Sequence, residues 1–156
     1  MEIVFAKRED CEEILYFIKE LAKYEKLENE VIADLKTLEY WLFDKKIAEV
    51  LFAVENNEKV GFALFFHNFS TFLGRAGIYL EDLYIKEEYR GKGYGKALFK
   101  ELARIAVERE CGRLEWWCLD WNKNSIDFYL SNGAEAMDEW TTYRISGDKL
   151  KELADK

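Results

Sequence analysis

A chain of 156 residues, 49% apolar and 16% aromatic, has room for one domain with an ordinary hydrophobic core and is far from a disordered profile. Its formal net charge of -8 argues against a general nucleic-acid binder, which needs a basic face to displace counterions from phosphates. Three scattered cysteines (Cys11, Cys111, Cys118), no C-x-x-C pair and a single histidine, His67, argue against a structural zinc site or a disulfide framework, so no metal is expected.

The segment Met1 to Arg8 lacks the charged region, long apolar run and cleavage site of a signal peptide, and no stretch approaches the ~18 apolar residues of a membrane span. The expectation is a cytoplasmic protein with no membrane or nucleic-acid partner. Ile3 to Ala6 reads as a first strand. Asp10 with Glu13 resembles a capping box. Cys11, Ile14, Leu15, Ile18, Leu21 and Ala22 then recur at helical spacing, placing one apolar face on a helix that ends near Tyr24. A second helix follows Asp34, with Leu35, Leu38 and Leu42 on one side.

Val50 to Glu55 and Lys59 to Phe69 are rich in aromatic and β-branched residues, with Asn56-Asn57-Glu58 as the turn between them. Gly77 to Lys86 reads as another strand. A helix from about Tyr94 to Glu110 turns Leu98, Leu102, Ile105 and Ala106 inward, and Gly112, free to take positive φ, ends it. Arg113 to Leu119 reads as a strand, Asn124 to Asn132 as a short helix, and Trp140 to Ile145 as a last strand before an amphipathic tail. The order β-α-α-β-β-β-α-β-α-β predicts one mixed α/β domain over residues 1–156, a sheet flanked by helices.

Between the strand ending at Lys86 and the helix beginning at Tyr94 lies Arg90-Gly91-Lys92-Gly93-Tyr94-Gly95-Lys96. Glycines let the backbone turn tightly and let amides approach a ligand without side-chain obstruction. The first amides of a helix lack internal partners and sit at its positive end, so they suit a phosphate; Arg90, Lys92 and Lys96 add positive charge. A Walker A loop fails, because Arg90 stands where its first glycine belongs and Ala97 where Ser or Thr should bind magnesium. A dinucleotide fingerprint starting at Gly91 fails at Lys96. The preceding Leu80-Glu81-Asp82-Leu83-Tyr84-Ile85 is an extended segment whose backbone could pair with an amide-containing ligand such as a pantetheine arm.

Arg90-x-x-Gly93-x-Gly95 after a strand resembles the acyl-CoA-binding motif of the GNAT superfamily of N-acetyltransferases. Ile18 to Glu25, Tyr79-Leu80-Glu81-Asp82, Glu88-Tyr89-Arg90-Gly91, Trp121-Asn122, Phe128-Tyr129 and Asn132-Gly133-Ala134 are similar to the diamine (spermidine/spermine) acetyltransferases through nearly the whole chain. Ser70-Thr71-Phe72, Gly74-Arg75 and Leu119 to Asn122 look closer to the thialysine-acetylating branch. The resemblance implies a single-domain N-acetyltransferase fold, acetyl-CoA as donor, a small cationic amine as acceptor and a homodimer. It implies that the backbone of Leu83, Tyr84 and Ile85 binds pantetheine, and that the amides of Gly91, Lys92, Gly93, Tyr94, Gly95 and Lys96 hold the pyrophosphate. Asn122 and Ser125 would also contact the coenzyme. Tyr129 would be the general acid, and Tyr24, Glu25, Glu81 and Asp82 would line the amine site with Trp140 nearby.

The chemistry constrains these roles. An alkylamine with a pKa near ~10.4 must lose a proton before it attacks, and Glu81 acting through a water is the candidate base. Side chains alternate along a strand, so Glu81 and Asp82 can share one site only if the strand bulges there. A backbone amide, at Leu83, would stabilise the oxyanion. Among Glu25, Glu28 and Glu30, only Glu25 is carried by the family pattern. His67 reads as a packing residue among aromatics. Cys118 reads as a buried cysteine rather than an acyl-accepting nucleophile, so transfer should be direct. Trp116 and Trp117 should face opposite ways, and with Trp41, Trp121 and Trp140 they make a dimer plausible. Arg75 is a charge whose relation to the site is open. Two rival readings remain at this point: an acetyltransferase acting on a protein lysine or N-terminus, and a non-catalytic acyl-CoA-binding module.

Overall fold

In the computed structural model, which describes residues 1–156, five strands form one sheet: β1 (Glu2–Phe5), β2 (Glu49–Glu55), β3 (Glu58–Ser70), β4 (Arg75–Ile85) and β5 (Leu114–Trp116). They lie in the order β1-β2-β3-β4-β5, antiparallel except for the parallel pair β4 and β5. The helices are α1 (Cys11–Tyr24), α2 (Leu35–Glu39), α3 (Tyr94–Glu108), α4 (Lys123–Ser131) and α5 (Asp148–Ala154). The chain divides into two compact units, residues 1–119 with the whole sheet, and residues 120–156 with α4 and α5.

The first unit is built by alternation. Val50, Leu51, Phe52 and Ala53 are all buried, so both faces of β2 are covered. Val50 and Phe52 join Phe62, Leu64 and Tyr84 in a cluster with Ile14, Phe17 and Leu21 of α1. Phe17 stacks on Phe62 with centroids 5.2 Å apart and planes at 12°. Leu98, Leu102 and Ile105 of α3 are buried as the residue spacing requires, and α3 touches β2, β3, β4 and β5. The β2–β3 hairpin turns where Asn56 and Asn57 take φ of 50° and 64°, the left-handed pair that a two-residue hairpin needs.

Several boundaries differ from the sequence reading. Asp10 does not cap α1; its carboxylate accepts from the Lys7 amide at 2.7 Å, and Glu13 pairs with Lys59. Asp34 does cap α2, accepting from the Thr37 amide at 2.8 Å while Thr37 Oγ1 accepts from the Asp34 amide at 3.1 Å. Past Glu39 that helix continues as a wider turn, Tyr40–Asp44, closed by Lys45 N donating to Tyr40 O, and this turn buries Leu42. Positive φ after α3 falls on Glu110, at 61°, not on Gly112. Gly112 instead sits beside β4, its amide donating to Ala76 O at 3.0 Å near the ends of the Leu73 and Arg75 side chains. The strand expected over 113–119 pairs only at Leu114–Trp116. Residues 140–145 form no strand; their apolar alternation meets no ladder partner, and a strand exists only through its pairing. In the second unit Asn122 Oδ1 accepts from the Ser125 amide at 3.4 Å at the start of α4, and Gly133, at φ 92°, follows its end.

Candidate functional site

One of the two irregularities of the sheet falls where the sequence had marked it. Leu64 faces Asp82, but Phe65 faces Leu80, so Glu81 is an extra residue on β4 and the ladder bulges there. The rungs between β4 and β5 stop at Leu80 and Trp116. From Glu81 to Ile85, β4 is therefore paired with β3 on one side and carries no β5 rung on the other. Leu83, Tyr84 and Ile85 thus offer backbone groups along an edge that opens within the sheet.

The bulge also resolves the alternation problem. Glu81 is exposed and Asp82 partly buried, and both act electrostatically on or with Glu25, which follows the last turn of α1. Burial first, then Glu81 and Glu25, push the Asp82 carboxyl up to about 7. Burial and then Glu81 push the Glu25 carboxyl up, and burial with Glu81 and Glu115 raises the Tyr79 phenol. Desolvated Glu25 and Asp82 therefore lie within electrostatic reach of exposed Glu81. This arrangement disfavours ionisation of Glu25 and Asp82 and favours any cation that enters.

The sign of the pH effect follows. The folded chain holds the Asp82 proton more tightly than the unfolded chain, whose carboxyl has the ordinary value of 3.8. The stabilisation is complete below that value and is lost as pH rises through about 7. The melting midpoint should therefore fall between about pH 5 and about pH 8, and Asp82→Asn should flatten that slope. An unchanged slope in the variant, followed by calorimetry, would show that another group is responsible.

The glycine loop sits directly after this strand. Gly91 and Gly93 take φ of 77° and 91°, and Gly93 is the residue before α3. A Cβ at either position would meet nothing within 4 Å, so their role is conformational and the space above them is open. Gly95 has no positive φ, and a Cβ there would make ordinary contact with Ile85 Cγ1 at 3.7 Å. The loop is pinned at both ends. Tyr89 donates to Glu58 Oε2 at 2.5 Å, and Tyr94, buried, donates to Glu55 Oε2 at 3.1 Å, both on the β2–β3 hairpin. Tyr94 can therefore serve a ligand through its amide and not through its phenol. Lys92 lies over the Tyr89 ring at 5.3 Å, and Lys96 is exposed.

Arg90 is placed differently from a free cation beside the loop. Its Nε donates to Ile85 O at 2.9 Å, and its guanidinium lies over the rings of Tyr24 and Tyr84, 5.1 Å from each centroid. Nothing in residue spacing signals this contact among three separate segments. Arg75 lies at the far end of β4 from Glu81, six residues or about 20 Å along the strand, so it does not belong to this corner. His67 is exposed rather than packed among aromatics, with Nε2 3.4 Å from the Arg109 guanidinium. Cys118 is partly buried, and Trp116 and Trp117 do face opposite ways, the first edge-on to Phe99 and the second edge-on to Tyr79. The remaining sequence candidates lie in the second unit: Asn122 buried, Ser125 and Tyr129 partly buried on α4, and Trp140 exposed. No helix is long and apolar enough to cross a membrane.

The acetyltransferase (GNAT) family profile matches residues 8–134. The chain is 39% identical over 163 aligned positions to a thialysine N-ε-acetyltransferase of Bos taurus, covering 97% of this chain and 95% of that one. It is 45% identical over 93 positions to an L-ornithine N5-acetyltransferase of Arabidopsis thaliana, covering 60% of this chain and 41% of that one. Among solved structures, an integron cassette protein from the mobile metagenome of V. cholerae superposes with a TM-score of 0.83 at 30% identity, covering 99% and 98% of the two chains. With a bulged strand parting from its parallel neighbour ahead of a glycine loop, and relatives matched over nearly its full length, the chain belongs to the acetyltransferase (GNAT) family, in its diamine and thialysine group, and is an amine N-acetyltransferase.

Proposed function

We propose that residues 1–156 act as one domain that moves an acetyl group from acetyl-CoA directly to a primary amine of a small cationic substrate, a diamine or polyamine or an amino acid like thialysine. The observation that carries this reading is the corner formed by Glu25, Glu81 and Asp82, three carboxylates raised in pKa or close enough to raise one another. Such a corner gains most from a ligand that brings positive charge. Tyr24 and Trp140 complete the amine site in this proposal.

Acetyl-CoA supplies an acetyl thioester. The open edge of β4 at Leu83, Tyr84 and Ile85 fits a pantetheine arm, and the left-handed glycines leave room for a pyrophosphate over the amides of Gly91 to Lys96, with Asn122 and Ser125 as further contacts. Glu81, through a water, takes the proton from the substrate ammonium, freeing the nitrogen lone pair to form the new C–N bond. The Leu83 amide donates to the carbonyl oxygen as it gains charge. Tyr129 gives its proton to the sulfur as the C–S bond breaks, so coenzyme A leaves as the thiol, while the acylated nitrogen sheds its second proton to solvent, from which the phenolate is reprotonated. No metal enters this scheme, and the setting proposed for it is the cytoplasm. A homodimer is also proposed; exposed Trp117 and Phe72 support it, the latter 94% accessible.

Coenzyme A release should be measured with spermidine, putrescine, thialysine, lysine and a lysine-containing peptide. Turnover on the small amines is expected; turnover on the peptide alone would refute the proposal. A diamine should also raise the melting midpoint more at about pH 8 than at about pH 5.5, because Asp82 is ionised only at the higher pH. Gly93→Ala forces a side chain into a left-handed conformation, a strain of about 1–2 kcal/mol. It should weaken acetyl-CoA binding by about tenfold; an affinity equal to the parent's would mean that the loop does not hold the coenzyme.

A further inference from the structure

Arg90 has the position of a phosphate ligand but is bonded as a strut. Its chain leaves the glycine loop, its Nε holds the carbonyl of Ile85 at the end of β4, and its guanidinium lies over Tyr84 of β4 and Tyr24 of α1. Its own amide donates to Glu87 O at 3.2 Å, so the backbone of this residue is also engaged in the turn. The three segments it joins have different tasks in the proposed function. The loop takes the pyrophosphate, β4 takes the pantetheine, and the end of α1, through Tyr24 and the adjacent Glu25, walls the amine site.

We propose that Arg90 is a positioning residue that fixes the coenzyme loop against the amine-site tyrosine, so that Tyr24, a residue on the amine side, contributes to acetyl-CoA affinity. This rests on the coenzyme and amine sites assigned above. A loop already held in its binding shape loses less conformational freedom when the ligand arrives, and that saving appears as affinity. The contact requires a flat cation with an Nε–H, which arginine has and lysine lacks, whereas a phosphate accepts either.

Acetyl-CoA should be titrated calorimetrically, with no amine present, into the parent chain and into Arg90→Lys, Tyr24→Leu, Tyr24→Phe and the Arg90→Lys/Tyr24→Leu double variant. Arg90→Lys is expected to weaken binding by about tenfold, and Tyr24→Leu by about threefold, as loss of an exposed cation–π contact implies. Tyr24→Phe, which keeps a ring under the guanidinium, should rescue the affinity to within about twofold of the parent. The double variant should bind no more weakly than Arg90→Lys, since the tyrosine acts on the loop through the guanidinium. Arg90→Lys binding like the parent, Tyr24→Leu without effect, or additive losses in the double variant would each overturn the strut. Because no amine is present, a wrong acceptor leaves this result standing, while failure of the parent chain to bind acetyl-CoA would overturn the coenzyme assignment together with it.

Discussion

Tyr129→Phe is expected to lower kcat by about a hundredfold to ten-thousandfold, the range associated with losing a general acid, or about 3–5 kcal/mol in the barrier. The variant removes one oxygen from a partly buried side chain on α4 and leaves the ring that meets Phe128 edge-on at 5.5 Å. The melting midpoint and the acetyl-CoA affinity, measured beside kcat, separate a lost catalytic group from a disturbed fold. In the proposed scheme the loss falls on the step in which sulfur departs. Steady-state kinetics across pH, with calorimetry as a check on folding, measures all three quantities. A kcat within about threefold of the parent would remove Tyr129 from the mechanism and pass the proton to water.

Phe17→Ala should destabilise the fold by about 3–5 kcal/mol, the cost of emptying an aromatic position in a core. Phe17 is 1% exposed and stands where α1 crosses the sheet. It stacks on Phe62 and lies within 6.1 Å of Phe52 and 6.3 Å of Tyr84, ring centre to ring centre. Alanine would leave an aromatic-sized void bordered by these rings and by Tyr16, 5.4 Å away, which cannot all close on it. Domains of this size have about 5–15 kcal/mol in total, so the fold should survive only narrowly. Urea denaturation should show a lower midpoint at unchanged m. The void also touches Tyr84, one of the two rings under Arg90, so the variant should weaken acetyl-CoA binding as well. A destabilisation below about 1 kcal/mol would mean that α1 does not pack on the sheet through this residue.

The balance between these effects explains how the site is arranged. Apolar burial by α1 and α3 is strong enough to hold a corner where Asp82 is desolvated beside Glu81 and Glu25. That corner opposes stability at neutral pH, and substrate binding would offset the cost by bringing positive charge to the carboxylates.

Much of this was legible in the linear chain because it depends on local rules. The helical recurrence of Ile14, Leu21, Leu98, Leu102 and Ile105, the Asn56-Asn57 hairpin and the positive-φ glycines at 91 and 93 each follow from the preferences of a few neighbouring residues. Family and coenzyme followed from motifs of the same short range. What depends on pairing was not legible. The apolar alternation at 140–145 suggested a strand, yet strands exist only with partners, and β5 ends after Trp116 for the same reason. The bulge at Glu81 could be stated as a condition but not decided, since it needs the register of β3 against β4. Arg90, read as one more cation beside a phosphate, found its partners on α1 and β4, at sequence separations that no local pattern encodes. The family, the glycine loop and the acidic residues were thus already written in the linear chain. That Glu25 and Asp82 are desolvated within reach of Glu81 came only with folding, because desolvation and repulsion depend on distances that no stretch of sequence contains.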